Sequence, residues 1–139
     1  MIILDTNVVS ELLRPTPETR VLDWLARLDG SSIYLTSITE AELRYGVAIM
    51  DEGKRRDGLT KMIHQIVRED FAGRVLPFDS PAAVTFARIA AIRRAAGREL
   101  AQSDGQIAAI ACVWSATVAT RNIPDFTGCG IDLINPWNA

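Results

Sequence analysis

Met1-Ile2-Ile3-Leu4-Asp5-Thr6-Asn7 opens the chain, and its reading decides the fold. Ile2-Ile3-Leu4 is a short apolar run of the kind that forms a buried strand. Asp5 ends it, and Thr6-Asn7 starts a helical segment that closes at Arg14-Pro15. The same alternation continues outward. Val21, Leu22, Trp24, Leu25 and Leu28 recur at helical spacing after Pro17, which puts Trp24 in a core. Ile33-Tyr34-Leu35 reads as a strand, Thr39 to Met50 as a helix broken by Gly53, and Leu59 to Phe71 as another helix. Arg74-Val75-Leu76 is a third strand. Pro81 to Ala96 is an Ala-rich helix closed by Gly97, and Asp104 to Ser115 is the next. Thr117-Val118-Ala119 and Ile131-Asp132-Leu133-Ile134 are the last strands, with no helix predicted between them. Strands separated by helices imply right-handed crossovers. The expectation is one domain over residues 1–139, an α/β fold of three layers, α/β/α, around a central, mostly parallel sheet. In such sheets ligands bind beyond the carboxyl ends of the strands.

Composition bounds the function. Of 139 residues, 48% are apolar and 23% charged, enough for a full core and against disorder. No apolar run of membrane-spanning length exists, and the start of the chain lacks the basic region of a signal peptide. Cys112 and Cys129 make neither a disulfide scaffold nor a zinc site, and Cys112 reads as core. A cytoplasmic location is expected. The single histidine, His64, sits in an ordinary exposed helical stretch and anchors no triad. Fifteen Lys and Arg against 17 Asp and Glu give a net charge of −2, unlike the basic surplus of most nucleic-acid binders.

The acids are more informative than their sum. Asp5 can cap the helix that follows it. Glu42, three residues after Thr39, has the spacing of a capping box. On a helical wheel, however, Glu42 points with Tyr45, Gly46 and Ile49, on the side read as inward, while Glu40 pairs with Arg44. Asp104 opens a helix, where the dipole favours it, yet it aligns with Ile107, Ala108, Ala111 and Ser115. Asn122 and Asp125 follow a strand and reach the same sheet edge as Asp5; alone, each is an ordinary turn or surface residue. Three or four carboxylates at one edge, with only Arg121 beside them in sequence, would raise one another's pKa and destabilise the fold. A divalent cation removes that cost. Oxygen-only ligands suit Mg²⁺ or Mn²⁺ rather than zinc, and a bound water can then attack a phosphodiester.

Four blocks carry a resemblance: Ile3-Leu4-Asp5-Thr6-Asn7; Ile38-Thr39-Glu40-Ala41-Glu42-Leu43 with Gly46; Asp104-Gly105-Gln106-Ile107-Ala108-Ala109; and Ala119-Thr120-Arg121-Asn122. In this order and spacing the chain, from Asp5 to Asn135-Pro136-Trp137, resembles PIN domains. More narrowly it resembles the VapC toxins of bacterial toxin–antitoxin modules, in their FitB-like branch. The resemblance implies a PIN-like fold and a Mg²⁺- or Mn²⁺-dependent endoribonuclease that leaves a 5′-phosphate and a 3′-hydroxyl. It implies a homodimer inhibited by a cognate VapB- or FitA-like DNA-binding antitoxin, so that operator DNA is met only through that partner. Residue by residue, Asp5, Glu42 and Asp104 match the family's acidic metal ligands. Thr6 and Thr120 match its small hydroxyl positions, and Asn7 matches a residue that holds the first Asp. The fourth position departs: FitB-like chains can carry Asp where this one has Asn122, and others carry Asn followed by an acid, as Asp125 is here. Either Asn122 or Asp125 completes the site.

One alternative and two exclusions frame this reading. The fold can serve chiefly as a dimerising module that holds a DNA-binding antitoxin on its operator, with weak catalysis. Phosphatases of the haloacid dehalogenase type are excluded because position 7 is Asn. Receiver domains are excluded because Lys54 and Lys61 are the only lysines. RNA contacts are expected outside the acidic centre, from Arg88, Arg93, Arg94 and Arg98 or from Lys54-Arg55-Arg56. Setting aside Asp5, Glu42, Asp104 and Asp125 leaves 13 acids against 15 Lys and Arg, a mildly basic exterior. The Ala-rich helix, apolar on most sides, is expected to face a partner subunit.

Overall fold

In the computed structural model, which describes residues 1–139, β1 (Ile2–Leu4) is the middle strand of a five-stranded sheet. The strand order is β3-β2-β1-β4-β5, with β2 at Ile33–Thr36, β3 at Val75–Leu76, β4 at Thr117–Ala119 and β5 at Leu133–Ile134. Every pairing is parallel. The chain winds from β1 to β2 to β3 on one side, then crosses to β4 and β5 on the other. The reversal falls between β1 and β4, so a crevice opens at the carboxyl ends of these two strands.

Alternation along the strands divides the interior into two layers. Ile3, Val118, Leu76 and the half-buried Tyr34 pack on one face with Ile89, Ile107, Ala108, Ala111 and Phe126. Leu4, Ala119, Ile33 and Leu35 pack on the other with Val8, Val9, Val21, Trp24, Leu43 and Ile63. The helices are α1 (Thr6–Leu12), α2 (Thr19–Ala26), α3 (Ser37–Ala48), α4 (Lys54–Gln65), α5 (Ser80–Ala95), α6 (Gln102–Val113) and α7 (Ile123–Phe126). The expected three-layer α/β/α sandwich is thus present, with a wholly parallel sheet. No helix is long and apolar enough to cross a membrane.

Several boundaries differ from the sequence expectation. The helix read from Leu59 to Phe71 starts earlier, at Lys54, and ends at Gln65 in a single π turn, Ile66–Asp70. Arg74 lies outside β3; its guanidinium donates to the carbonyls of Gly30, Ile33 and Asp70 and lies over the Phe71 ring. The short α7 between β4 and β5 was not expected. Thr39 does not cap α3. The cap is Thr36, whose Oγ1 accepts from Thr39 N at 3.2 Å, while Thr39 itself is fully buried. Cys112 is half-buried, and Cys129 is the buried cysteine; both are free. His64 is exposed and Trp24 is core, as expected.

Close packing of α5 on α6 depends on Gly105. A Cβ there would stand 2.8 Å from Phe86 Cε1 and 2.9 Å from Leu100 Cδ2. Gly105→Val is therefore expected to lower stability by about 2 kcal/mol, the usual cost of overpacking, despite removing a helical glycine. Thermal or urea melting checks this, and the first turn of α6, which carries Asp104, is the segment it displaces.

Candidate active site

Asp5 stands at the switch point, directly after β1. Its backbone N donates to Ala119 O at 2.9 Å, which sets it beside Thr120 at the end of β4. The carboxylate is buried and has three donors. Thr6 N reaches Oδ1 at 2.8 Å; Thr120 Oγ1 and Asn7 Nδ2 reach Oδ2 at 2.8 and 3.1 Å. Asp5 thus caps α1 and also faces the crevice. Thr120, fully buried, accepts in turn from Asn122 N at 3.0 Å and from Asn7 Nδ2 at 3.3 Å. Asn7 Oδ1 accepts from Arg121 N at 3.2 Å. One amide therefore ties α1 to the turn after β4.

Thr6 links the second acid. Its hydroxyl donates to Glu42 Oε1 at 2.7 Å, so the 3.0 Å contact with Thr39 Oγ1 has Thr39 as donor. Glu42 is exposed, and the wheel neighbours read as inward, Tyr45 and Ile49, are each 67% exposed. That side of α3 is not core, a correction to the sequence reading. It borders a groove. Glu40 pairs with Arg44 at 2.8 Å as expected.

Asp104 lies in the first turn of α6, half-buried, on the line of the buried Ile107, Ala108 and Ala111. Asp5, Thr6, Glu42, Asp104 and Asn122 line one cavity of about 490 Å³. Asp125, exposed on α7, does not line it. Its charge is nevertheless felt by both Asp5 and Asp104. Burial, followed by the charges of Asp5, Asp125 and Glu42, pushes the Asp104 carboxyl up to about 6. Burial also raises Asp5, against the hydrogen bonds from Thr120 and Thr6. The expected convergence of acids is therefore present electrostatically. It is looser than a chelate, since no three of these acids gather tightly enough to hold one metal ion between them.

Sequence reasoning missed the cavity's other wall. Ser10, Glu11, Arg14, Arg121 and Trp137, with Asn7, complete it. Glu11 is buried, accepts from Glu18 N at 3.0 Å and pairs with Arg14 at 2.9 Å, which hold its carboxyl below the ordinary range. The spacing of Asn7, Ser10, Glu11 and Arg14 on one helical face was the available signal. Arg93, grouped by sequence with the RNA-facing cations, is buried and turns inward to backbone carbonyls, while Arg88, Arg94 and Arg98 stay exposed.

The PIN domain family profile matches residues 2–124. Toxin FitB of Neisseria gonorrhoeae is 46% identical over 138 residues, 99% of each chain. VapC ribonuclease Y4jK of Sinorhizobium fredii is 43% identical over 137 residues, covering 99% of this chain and 98% of that protein. The crystal structure of FitAcB from Neisseria gonorrhoeae superposes with a TM-score of 0.94 at 46% identity over the full length of both chains. The structure of FitAB bound to an IR36 DNA fragment superposes at 0.92 and 46% identity, covering 99% of this chain and 96% of that one. With its parallel sheet, switch-point carboxylate and these relatives, the chain belongs to the PIN domain family, in the branch that holds Toxin FitB and the VapC ribonucleases.

Proposed function

We propose that the protein is the toxin of a toxin–antitoxin module, a Mg²⁺- or Mn²⁺-dependent endoribonuclease working in the cytoplasm. The observation that carries this is the buried Asp5, oriented by three donors and opening with Asp104 and Glu42 into one cavity at the switch point. Family membership beside a named ribonuclease supports the substrate class. The donor chemistry fits a hard cation. Oxygen ligands surround a pocket with a surplus of negative charge, and Mg²⁺ is commonly held by one or two carboxylates with water filling the rest, which suits acids that do not close into a chelate. Asp5 and Asp104 are the direct ligands proposed, with Glu42 acting through water. Bound there, the cation would cancel the repulsion and acidify a water for attack on phosphorus.

The chain's own residues do the rest. Thr120 and Asn7 hold Asp5 Oδ2 in one orientation. Thr6 holds Glu42 Oε1, leaving its other oxygen free to accept a water proton. Asn122, fixed through Thr120, offers an amide without adding charge, and Asp125 contributes only field. Incubation of the purified protein with total RNA and either metal is expected to give fragments with 5′-phosphates. Intact RNA at every metal concentration overturns the reading.

The FitB–FitA pairing suggests a FitA-like antitoxin, meeting operator DNA on this chain's behalf. A groove of about 790 Å³ between α1, α3 and α4 suits it, apolar at Leu43, Val47, Leu59 and Met62, cationic at Lys54 and Arg55, and sharing Glu42 with the acidic cavity. Val84 and Ile92, exposed on α5, are proposed to meet a second copy in a homodimer. The looseness of the acids and the uncharged Asn122 favour a second reading, a weakly catalytic module that holds the antitoxin.

Stability against pH and metal separates the two. Between pH 3.8 and about 6 the folded chain keeps a proton on Asp104 that the unfolded chain releases. The contribution of this group therefore falls as pH rises through that window, and Asp5 acts in the same direction. After discounting for solvent screening the loss is about 1 kcal/mol. Millimolar Mn²⁺ or Mg²⁺ is expected to restore it at pH 7 and to raise the melting temperature, since it binds only the folded state. Melting scans with chelator and with metal, at pH 5 and 7, check this; indifference to metal favours the second reading.

A further inference from the structure

The cationic wall of the acidic cavity has no part in the chemistry above. Arg14 is occupied by Glu11. Arg121 is exposed and its side chain makes no salt bridge and no hydrogen bond. Its guanidinium lies over the Trp137 ring, 5.0 Å from the centroid. Its charge reaches Glu11 without a contact, and the guanidinium itself rests on an aromatic face.

The shelf beneath it is built. Trp137 N donates to Asn135 Oδ1 at 2.9 Å, and Arg20 Nη1 reaches Trp137 O at 3.4 Å. The ring is half-buried against the second core layer. At the other end, Asn7 receives Arg121 N on Oδ1 and gives its amide to Asp5 Oδ2. The backbone of Arg121 and the carboxylate of Asp5 thus share one positioning residue. Stacking occupies the face of a guanidinium and leaves its in-plane N–H groups for an oxyanion. The acids alone repel a polyanion, so an RNA strand needs fixed positive charge beside them.

We infer that Arg121, seated on Trp137, binds the phosphodiester next to the one cleaved and so sets the register of the RNA strand on Asp5 and Asp104. Arg121 is a substrate-contacting residue, and Trp137 is a positioning residue acting through it. This rests on the endoribonuclease reading.

The test uses the full-length protein and a fluorescein-labelled, random-sequence single-stranded RNA of about 12 nucleotides. Cleavage is followed with Mn²⁺, and binding is followed without metal on the Asp104→Asn protein, which keeps the Asn7 bonds, across a salt series. Arg121→Gln is expected to raise KM about tenfold with kcat within about threefold, the pattern of lost uniform binding. The slope of log K against log salt should become shallower by about 0.7, one phosphate contact on a single strand. Trp137→Leu should reproduce most of the KM rise, with Trp137→Phe restoring the parent value. Arg27→Gln removes the same charge from an exposed position at the end of α2 and should change neither quantity. An Arg121→Gln protein that matches Arg27→Gln in KM and salt slope overturns the inference, as does a loss confined to kcat. If the parent cleaves nothing, the ribonuclease reading has failed instead, and an unchanged salt slope for RNA binding then removes Arg121 independently. A melting temperature within a few degrees of the parent confirms that each variant is folded.

Discussion

Asp104→Asn is expected to cleave RNA about 10³-fold more slowly than the parent and, at pH 7 without metal, to melt about 3 °C higher. The two effects share one cause. Asp104 makes no hydrogen bond that Asn would lose, and its carboxyl, pushed up to about 6, must ionise against burial and the charges of Asp5, Asp125 and Glu42. Removing the charge relieves a cost of about 1 kcal/mol after screening, which corresponds to a few degrees for a domain of this size. The same charge is what would hold the cation. Loss of a preorganised electrostatic contributor at a phosphoryl centre costs about 4 kcal/mol of barrier, or about 10³ in rate. Asp5→Asn should lose as much activity with little change in melting. Its lost charge is offset by disruption of the bonds from Thr120 and Asn7, which face an acceptor now and would face an NH₂ group in one orientation of the amide. Activity lost while stability is kept or gained marks strain held for function. Cleavage by Asp104→Asn within about threefold of the parent would sink the assignment.

The legibility of this site in sequence follows the range of the interactions that build it. Asp5 was readable because a strand end and a helix start meet there, and parallel order follows from alternating elements. Asp104 was readable because a helical wheel is a local property, and its line of Ile107, Ala108 and Ala111 is buried as drawn. Glu42 lines one cavity with Asp5 and Asp104, but its local account differs from the one read in sequence. Thr36 and Thr39 are hydroxyls three residues apart, and the wheel cannot tell which of them caps the helix; tertiary contact with Thr6 decides it. The face of α3 with Tyr45 and Ile49 was misread because an apolar stripe at helical spacing borders either a core or a groove. The position of Asp125 was not legible, for another reason. Four helical residues, Ile123–Phe126, turn it out of the cavity, and so short a helix around Pro124 leaves no periodic signal. Trp137 reaches the site from the far end of the chain, which no local pattern encodes.

Arg93→Met is expected to lower stability by about 3 kcal/mol, roughly 10 °C in melting temperature, the largest loss among single changes at exposed-looking charges. In sequence Arg93 stands beside Arg94 in an Ala-rich helix and reads as one more phosphate-facing cation. In the structure it is 6% exposed and has no acidic partner in contact. Its Nε donates to Arg98 O at 2.8 Å, and Nη1 donates to the carbonyls of Asp125 and Thr127, with Cys129 Sγ 3.8 Å away. One guanidinium thus pins the turn after α5 and the C-terminal end of α7 to the helix layer. Methionine fills much of the volume and spares the desolvation of a charge, which offsets part of the loss. It leaves three carbonyls without their donor, at about 1 kcal/mol or more each where water does not replace it. The damage extends to the site, because the Arg93 charge holds the Asp104 carboxyl down against burial and the neighbouring acids. Without it Asp104 should titrate higher still, and α7, which follows Asn122 and carries Asp125, should exchange its amide protons faster. Arg93→Lys discriminates between the two roles. It keeps the charge that phosphate binding needs and lacks the fork that three carbonyls need, so it should melt nearly as low as Arg93→Met. A lysine variant with parental stability and weakened RNA binding would return Arg93 to the surface role its sequence neighbours suggest.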